Sequence, residues 1–122
     1  MSNRSKISVV LAVHNEEKNL ARCLESVQPV ADEIIVVDGE STDDTVEIAK
    51  RFDAQVIETT NKQNFHINKQ MAIDAAKGEL ILQMDADEAI DTELVTFIQK
   101  TAEIFQFQYP EDAEEIDLRH DS

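Results

Sequence analysis

A chain of 122 residues, 42% of them hydrophobic, is long enough to bury one core and too short for two ordinary domains. Its formal charge of −15 argues against nucleic acid and anionic membrane surfaces as partners. No apolar run is long enough to cross a bilayer, the polar start Met1–Lys6 has no signal-peptide pattern, and Cys23 stands alone, which rules out an internal disulfide and suits a reducing cytoplasm.

Ile7–Val13 is a β-branched apolar run between polar residues and predicts a buried strand. A helix should follow: Asn15 can cap it, Glu16 and Glu17 suit the positive end of its dipole, and Leu20, Leu24 and Val27 recur at helical spacing before Pro29. Cys23 falls on this helix and reads as a small buried hydrophobe, not a nucleophile. Glu33–Val37 (EIIVV) predicts a second strand, and Ser41 or Thr42 caps a helix with Val46, Ala49 and Phe52 on one face. Ala54–Glu58 is a short third strand. The polar loop TTNKQN leads into a third helix from about Phe65 to Lys77, with Gly78 at the usual C-terminal glycine position. Leu80–Met84 is the fourth strand, and Asp91 caps a last helix through about Ile104. FQFQY, residues 105–109, alternates with period two and suggests a short extra strand. Beyond it, residues 110–122 hold six acidic side chains against Arg119. They are expected to form a solvated, poorly ordered tail to a domain of residues 1–109.

Strand and helix thus alternate throughout, the signature of βαβ units and right-handed crossovers. The expected architecture is an α/β sandwich of about four parallel strands with helices on both faces. Ligands of such sheets bind beyond the carboxyl ends of the strands, where strand order reverses. The first strand delivers His14, Asn15 and Glu16 there, the second delivers Asp38, Gly39 and Glu40, and the fourth delivers Asp85, Asp87 and Glu88. Each group alone has a plainer reading as a helix start or a rim side chain. Asp85-Ala86-Asp87 resists it, because Asp91 caps the next helix without them. Hard divalent cations prefer oxygen ligands, and Mg²⁺ or Mn²⁺ commonly bridges one or two carboxylates to a diphosphate. Such an ion would relieve the repulsion between these carboxylates and draw a phosphorylated ligand to an acidic protein.

SVVLAVHNEEKNLARCLESV, DEIIVVDGESTDDTVEIAKRF and INKQMAIDAAKGELILQMDADE resemble, in order and spacing, the nucleotide-sugar half of family-two glycosyltransferases. These are inverting enzymes with the Rossmann-like GT-A fold. The resemblance runs from about Ile7 to Phe97 and is nearest to members that add glucose or a related sugar to bacterial lipopolysaccharide cores or other envelope glycans. It implies a nucleotide-diphosphate sugar as donor, with a UDP-sugar favoured, Mg²⁺ or Mn²⁺ as cofactor, and a glycan or lipid-linked acceptor. It further implies that Ala12, Val13, His14, Asn15 and Glu16 line the nucleotide pocket, and that Asp38 hydrogen-bonds a uracil-type base. Lys69 would approach the nucleotide from the facing side. Asp85 would lie near the ribose, and Asp87, with Asp85, would hold the metal on the diphosphate. Glu40 stands where the family has a glycine suited to a left-handed backbone, and Gln70 stands where many members carry asparagine.

Family members continue beyond the Asp-x-Asp motif into a region that binds the acceptor and supplies the catalytic base. FQFQYPEDAEEIDLRHDS offers no assignable counterpart, so the catalytic residue is unassigned and the chain reads as truncated relative to the family. The expectation is a glycosyltransferase-type domain. The alternatives are a non-catalytic nucleotide-sugar-binding module, or a degenerate fragment retaining the fold alone. Without later strands, Leu80–Met84 would be a sheet edge, so a homo-oligomer or partner chain is expected, with Phe105–Tyr109 at the contact. The expected location is cytoplasmic, the inner face of the membrane being reached through a partner.

Overall fold

The computed structural model describes residues 5–60 and 64–108, the last five without their side chains. Eight elements alternate as expected: β1 (Ile7–Val13), α1 (Leu20–Val27), β2 (Glu33–Gly39), α2 (Thr45–Arg51), β3 (Gln55–Thr59), α3 (Phe65–Ala75), β4 (Leu80–Gln83) and α4 (Thr92–Gln108). The four strands form one parallel sheet in the order β3-β2-β1-β4. Seven consecutive residues of β1 are buried, because an interior parallel strand is covered on both faces and cannot alternate with polar residues.

Side-chain alternation divides the core. Val9, Leu11 and Val13 of β1 pack with Leu20, Leu24 and Val27 of α1, Ile48 and Ala49 of α2, and Ala102 of α4. Val10 points the other way and joins Ile35 and Val37 of β2 against Ala72 and Ala76. One face therefore carries three helices, and α3 covers the other. β4 is a sheet edge among the described strands.

At the amino ends of the strands, Gly78 seats the α3–β4 connection on β1. Its amide donates to Ser8 Oγ at 2.8 Å, and the Ser8 hydroxyl donates to Glu33. The Lys77 amide donates to the same Glu33 carboxylate at 2.6 Å. A Cβ at Gly78 would lie 2.7 Å from both the Lys6 carbonyl and Ser8 Oγ. This glycine is required by close approach, not by the left-handed helix cap predicted for it, since no described glycine has positive φ. The helix before it also ends earlier than Lys77, at Ala75.

Three other local expectations are corrected. Asn15 does not cap α1, which begins at Leu20 after a turn in which the Asn19 and Leu20 amides both donate to the Glu16 carbonyl. Neither Ser41 nor Thr42 caps α2, which begins at Thr45 behind Asp44, because the Ser41 hydroxyl is engaged by Asp38 and Asn15 and the Thr42 hydroxyl by Asn15. The residues of FQFQY that are described, 105–108, continue α4 as its last turn and form no strand. An established helix propagates one bond per residue, and a four-residue alternation does not outweigh that. Tyr109, the tail 110–122 and the side chains of Phe105 and Phe107 lie outside the described residues, and with them the expected oligomer contact. The Asp91 cap is as expected: its carboxylate accepts from the Leu94 amide at 2.8 Å.

Candidate functional site

Strand order reverses between β1 and β4, since β2 and β3 lie to one side of β1 and β4 to the other. A cavity of about 390 Å³ opens at the carboxyl ends of this pair, within the size range of small-molecule sites. Ala12 and Glu16 line it from β1 and its loop, Phe65 and Lys69 from the first turns of α3, and Asp85, Ala86 and Asp87 from the turn after β4. Lys69 Nζ lies 3.3 Å from Asp85 Oδ1.

The Asp85–Asp87 turn is fastened from below and from the side. The Asp85 amide donates to Glu88 Oε1 at 2.9 Å, and the Glu88 amide returns a bond to the Asp85 carbonyl at 2.9 Å. Arg22 Nη2 on α1 donates to the Asp87 carbonyl at 3.1 Å. Cys23 Sγ, fully buried, lies 3.6 Å from the Asp85 carbonyl. Burial pushes the Cys23 thiol up to about 11, with Glu88, Asp87 and Asp85 adding to the effect and Arg22 opposing it. The thiol therefore stays protonated at neutral pH, as a packing group does and a nucleophile does not. Ser26 Oγ, donating to the Cys23 carbonyl, accepts from the Ile90 amide at 3.1 Å. One face of α1 thus sets the path of the chain from β4 into α4.

A second set of bonds joins the loops after β1 and β2. His14 Nδ1 lies 2.6 Å from the Gly39 carbonyl. A carbonyl can only accept, so Nδ1 carries the proton, and Nε2 is free to accept from Asn15 Nδ2 at 3.3 Å. Asn15 adopts a left-handed backbone (φ 53°); its amide donates to Ser41 Oγ at 2.7 Å and its Oδ1 accepts from the Thr42 amide at 2.8 Å. Asp38 is 1% exposed and takes the Ser41 hydroxyl at 2.5 Å and the Ser41 amide at 3.1 Å. The Glu16 amide donates to the buried Thr45 hydroxyl at 2.8 Å, and that hydroxyl donates to Asp43. For Asp43, desolvation raises the pKa, but the hydroxyl and amide of Thr45, the Glu17 amide and its own amide outweigh it and hold the carboxyl below the ordinary 3.8. Glu40, in the family's glycine position, has φ 58°.

Of the residues singled out from the sequence, Ala12, Glu16, Lys69, Asp85 and Asp87 meet at one cavity. The side chains of Val13, His14, Asn15 and Asp38 do not line it. Val13 packs in the core, His14 and Asn15 spend polar atoms joining the two loops, and the Asp38 carboxylate is taken by Ser41 in its own loop. Phe65 and Arg22 were missed. Phe65 lies four residues before Lys69, a spacing that puts both on one face of a helix. Arg22 has no such signal, because its contact is with a main-chain oxygen 65 positions away.

The donor chemistry suits a hard divalent cation. Asp85 and Asp87 present exposed carboxylates one residue apart on a single turn. Among the described residues the Asp87 carboxylate meets no cation or hydrogen-bond donor, and no three metal-ligating side chains converge anywhere. A cation here would take one or two carboxylates from the chain and the rest of its shell from water or a ligand, as Mg²⁺ commonly does.

The sequence match agrees with this arrangement: the family model described as Glycosyl transferase family 2 covers residues 8–121. The chain belongs to glycosyl transferase family 2. An uncharacterized glycosyltransferase of Rickettsia typhi is 43% identical over 89 residues, which are 73% of this chain and 30% of the relative. The glycosyltransferase SunS of Bacillus subtilis, of prophage origin, is 35% identical over 108 residues, covering 87% of this chain and 26% of that protein. The chain therefore spans under a third of the length of these relatives. Among solved structures, S. aureus TarS 1–349 superposes with a TM-score of 0.68 at 27% identity, over 75% of this chain and 30% of that one. Glucosyl-3-phosphoglycerate synthase of Mycobacterium tuberculosis, in complex with Mn²⁺, UDP and glucosyl-3-phosphoglycerate, superposes with a TM-score of 0.60 at 26% identity, over 70% of this chain and 36% of that one. The parallel sheet with its flanking helices is thus the GT-A arrangement of family-two glycosyltransferases. No described helix is long and apolar enough to cross a membrane.

Proposed function

We propose that this family-two chain binds a nucleotide-diphosphate sugar, a UDP-sugar in the favoured case, in the cavity between β1 and β4, for inverting transfer to a glycan or lipid-linked acceptor. The observation that carries the reading is the meeting of Asp85, Asp87 and Lys69 at the reversal of strand order. Asp87 and Asp85 would hold Mg²⁺ or Mn²⁺ against the diphosphate. When bound, the cation supplies neutralisation of the leaving diphosphate. Lys69 adds positive charge to an otherwise acidic lining, and Glu16 faces the same space. Phe65, 43% exposed at the cavity, offers a flat apolar wall to a base or sugar ring. Asp38, buried beneath Ser41, is assigned the holding of the loop that walls the nucleotide end. His14 and Asn15 share that task. Support comes from the S. aureus TarS structure in complex with UDP-GlcNAc, 26% identical with a TM-score of 0.64, and from the M. tuberculosis synthase with Mn²⁺ and UDP.

A second reading, donor binding without transfer by these 122 residues alone, is favoured by their span of about 30% of the relatives' length. No acceptor base is assigned among the described residues. Calorimetric titration with UDP, GDP and ADP, with and without Mn²⁺, tests the shared core of both readings. Metal-dependent binding with UDP preferred supports it, and metal-independent or absent binding of all three contradicts it. Sugar release from a UDP-sugar, followed with and without added glycan acceptors, then separates transfer from binding alone.

A further inference from the structure

Lys69 reaches Asp85 from α3, its Nζ 3.3 Å from Oδ1, with a side chain one-third exposed against 58% for Asp85. We propose that Lys69 makes this site take its divalent cation together with a diphosphate and not alone, by acting as the resident counter-ion of Asp85. The proposal rests on the reading of the cavity given above. Three carboxylates, Glu16, Asp85 and Asp87, line the cavity with Lys69, so a diphosphate by itself meets a net negative wall. A lone cation finds the Asp87 carboxylate with no ion-pair partner among the described residues, whereas Asp85 is already paired with Lys69. Lys69 must give up Asp85 before that carboxylate can serve a cation, and the displaced ammonium would then stand unpaired within a few ångströms of a divalent charge. Among the described residues no third ligating side chain makes up for that loss.

A diphosphate removes the penalty, because its oxygens give Lys69 a new partner while Asp85 turns to the cation. Lysine suits this exchange: its ammonium is a compact charge on a flexible stem with three rotatable donors, whereas an arginine would clamp the carboxylate in a bidentate fork. The coupling is reciprocal, so diphosphate and cation each raise the affinity for the other by the same factor.

The test measures Mn²⁺ alone, by the electron paramagnetic resonance of the free ion, and then UDP at fixed Mn²⁺. It compares the parent chain with Lys69→Met, Lys77→Met, Asp85→Asn and the Asp85→Asn/Lys69→Met pair, each checked for its melting transition. Lys69→Met should bind Mn²⁺ alone about tenfold more tightly and UDP with Mn²⁺ about tenfold more weakly, within the usual span of coupling free energies. Lys77→Met makes the same change in net charge at the other end of the sheet and should match the parent in both. With Asp85 neutral, removing Lys69 should strengthen Mn²⁺ binding by much less than it does in the parent. If Lys69→Met leaves Mn²⁺ affinity unchanged or lower while the parent still binds UDP with Mn²⁺, this proposal fails and the site reading stands. If the parent takes up neither Mn²⁺ nor UDP under any combination, both fall together.

Discussion

The guanidinium of Arg22 on α1 donates to the main-chain oxygen of Asp87 at 3.1 Å, so the helix after the first strand holds the turn after the fourth. Deleting the side chain frees one anchor of that turn without touching the core. Arg22→Gln is expected to weaken metal-dependent UDP binding by about 0.5–1.5 kcal/mol, the net scale of one hydrogen bond, with little change in urea midpoint. Calorimetry beside a urea melt separates the two effects. A variant equal to the parent in affinity would show that the bond positions nothing.

Gly78 has no room for a side chain. The atoms a Cβ would meet include the Lys6 carbonyl and the Ser8 amide, at 2.7 and 3.0 Å, and a strand backbone cannot yield as a side-chain tip can. Gly78→Ala is expected to cost about 1–3 kcal/mol, as overpacking does, read as a lower urea midpoint at unchanged slope.

Glu40 pays for a left-handed backbone that glycine adopts freely. A left-handed L-residue costs roughly 1–2 kcal/mol, and glycine's extra chain entropy gives back about half of that. Glu40→Gly is expected to stabilise the protein by about 0.5–1 kcal/mol, and Glu40→Val to destabilise it. Thermal melts of the two variants should move in opposite directions.

Asp43 gives a pH dependence of known sign. Its folded pKa lies below the ordinary 3.8, so its stabilising contribution is complete above that value and is lost as pH falls through the folded pKa. Asp43→Asn should lower the urea midpoint at neutral pH and flatten its fall below about pH 4. An acid profile identical to the parent's would remove Asp43 from the loop's support.

The strands were legible because burial on both faces leaves nothing but apolar, β-branched residues, as in Ile7–Val13. Helix starts were less so. Asn15, Ser41 and Thr42 look like caps to a local reading, yet their side chains bond across the two loops, and tertiary partners outcompeted the local ones. Gly78 resembles a helix-cap glycine in the sequence, since its packing against Ser8 leaves no trace in neighbouring residues. Glu40 departs from a glycine of the family pattern, and its φ of 58° gives that departure a physical meaning. At the site, Asp85, Asp87, Glu16 and Lys69 were legible from strand ends and resemblance together. Asp38 was expected to face a base but lies buried beneath Ser41, because a carboxylate beside a hydroxyl and an amide on its own turn is satisfied locally.

Asp87 is proposed to hold a divalent cation against a nucleotide diphosphate. The most direct test is calorimetric titration of UDP into the parent chain and Asp87→Asn, each with Mn²⁺ and with chelator. Mn²⁺-dependent binding to the parent is expected, with a loss of about 1–3 kcal/mol in the variant, the scale of a charge-assisted contact. UDP binding equally well to both proteins, whether or not Mn²⁺ is present, would remove Asp87 from that role.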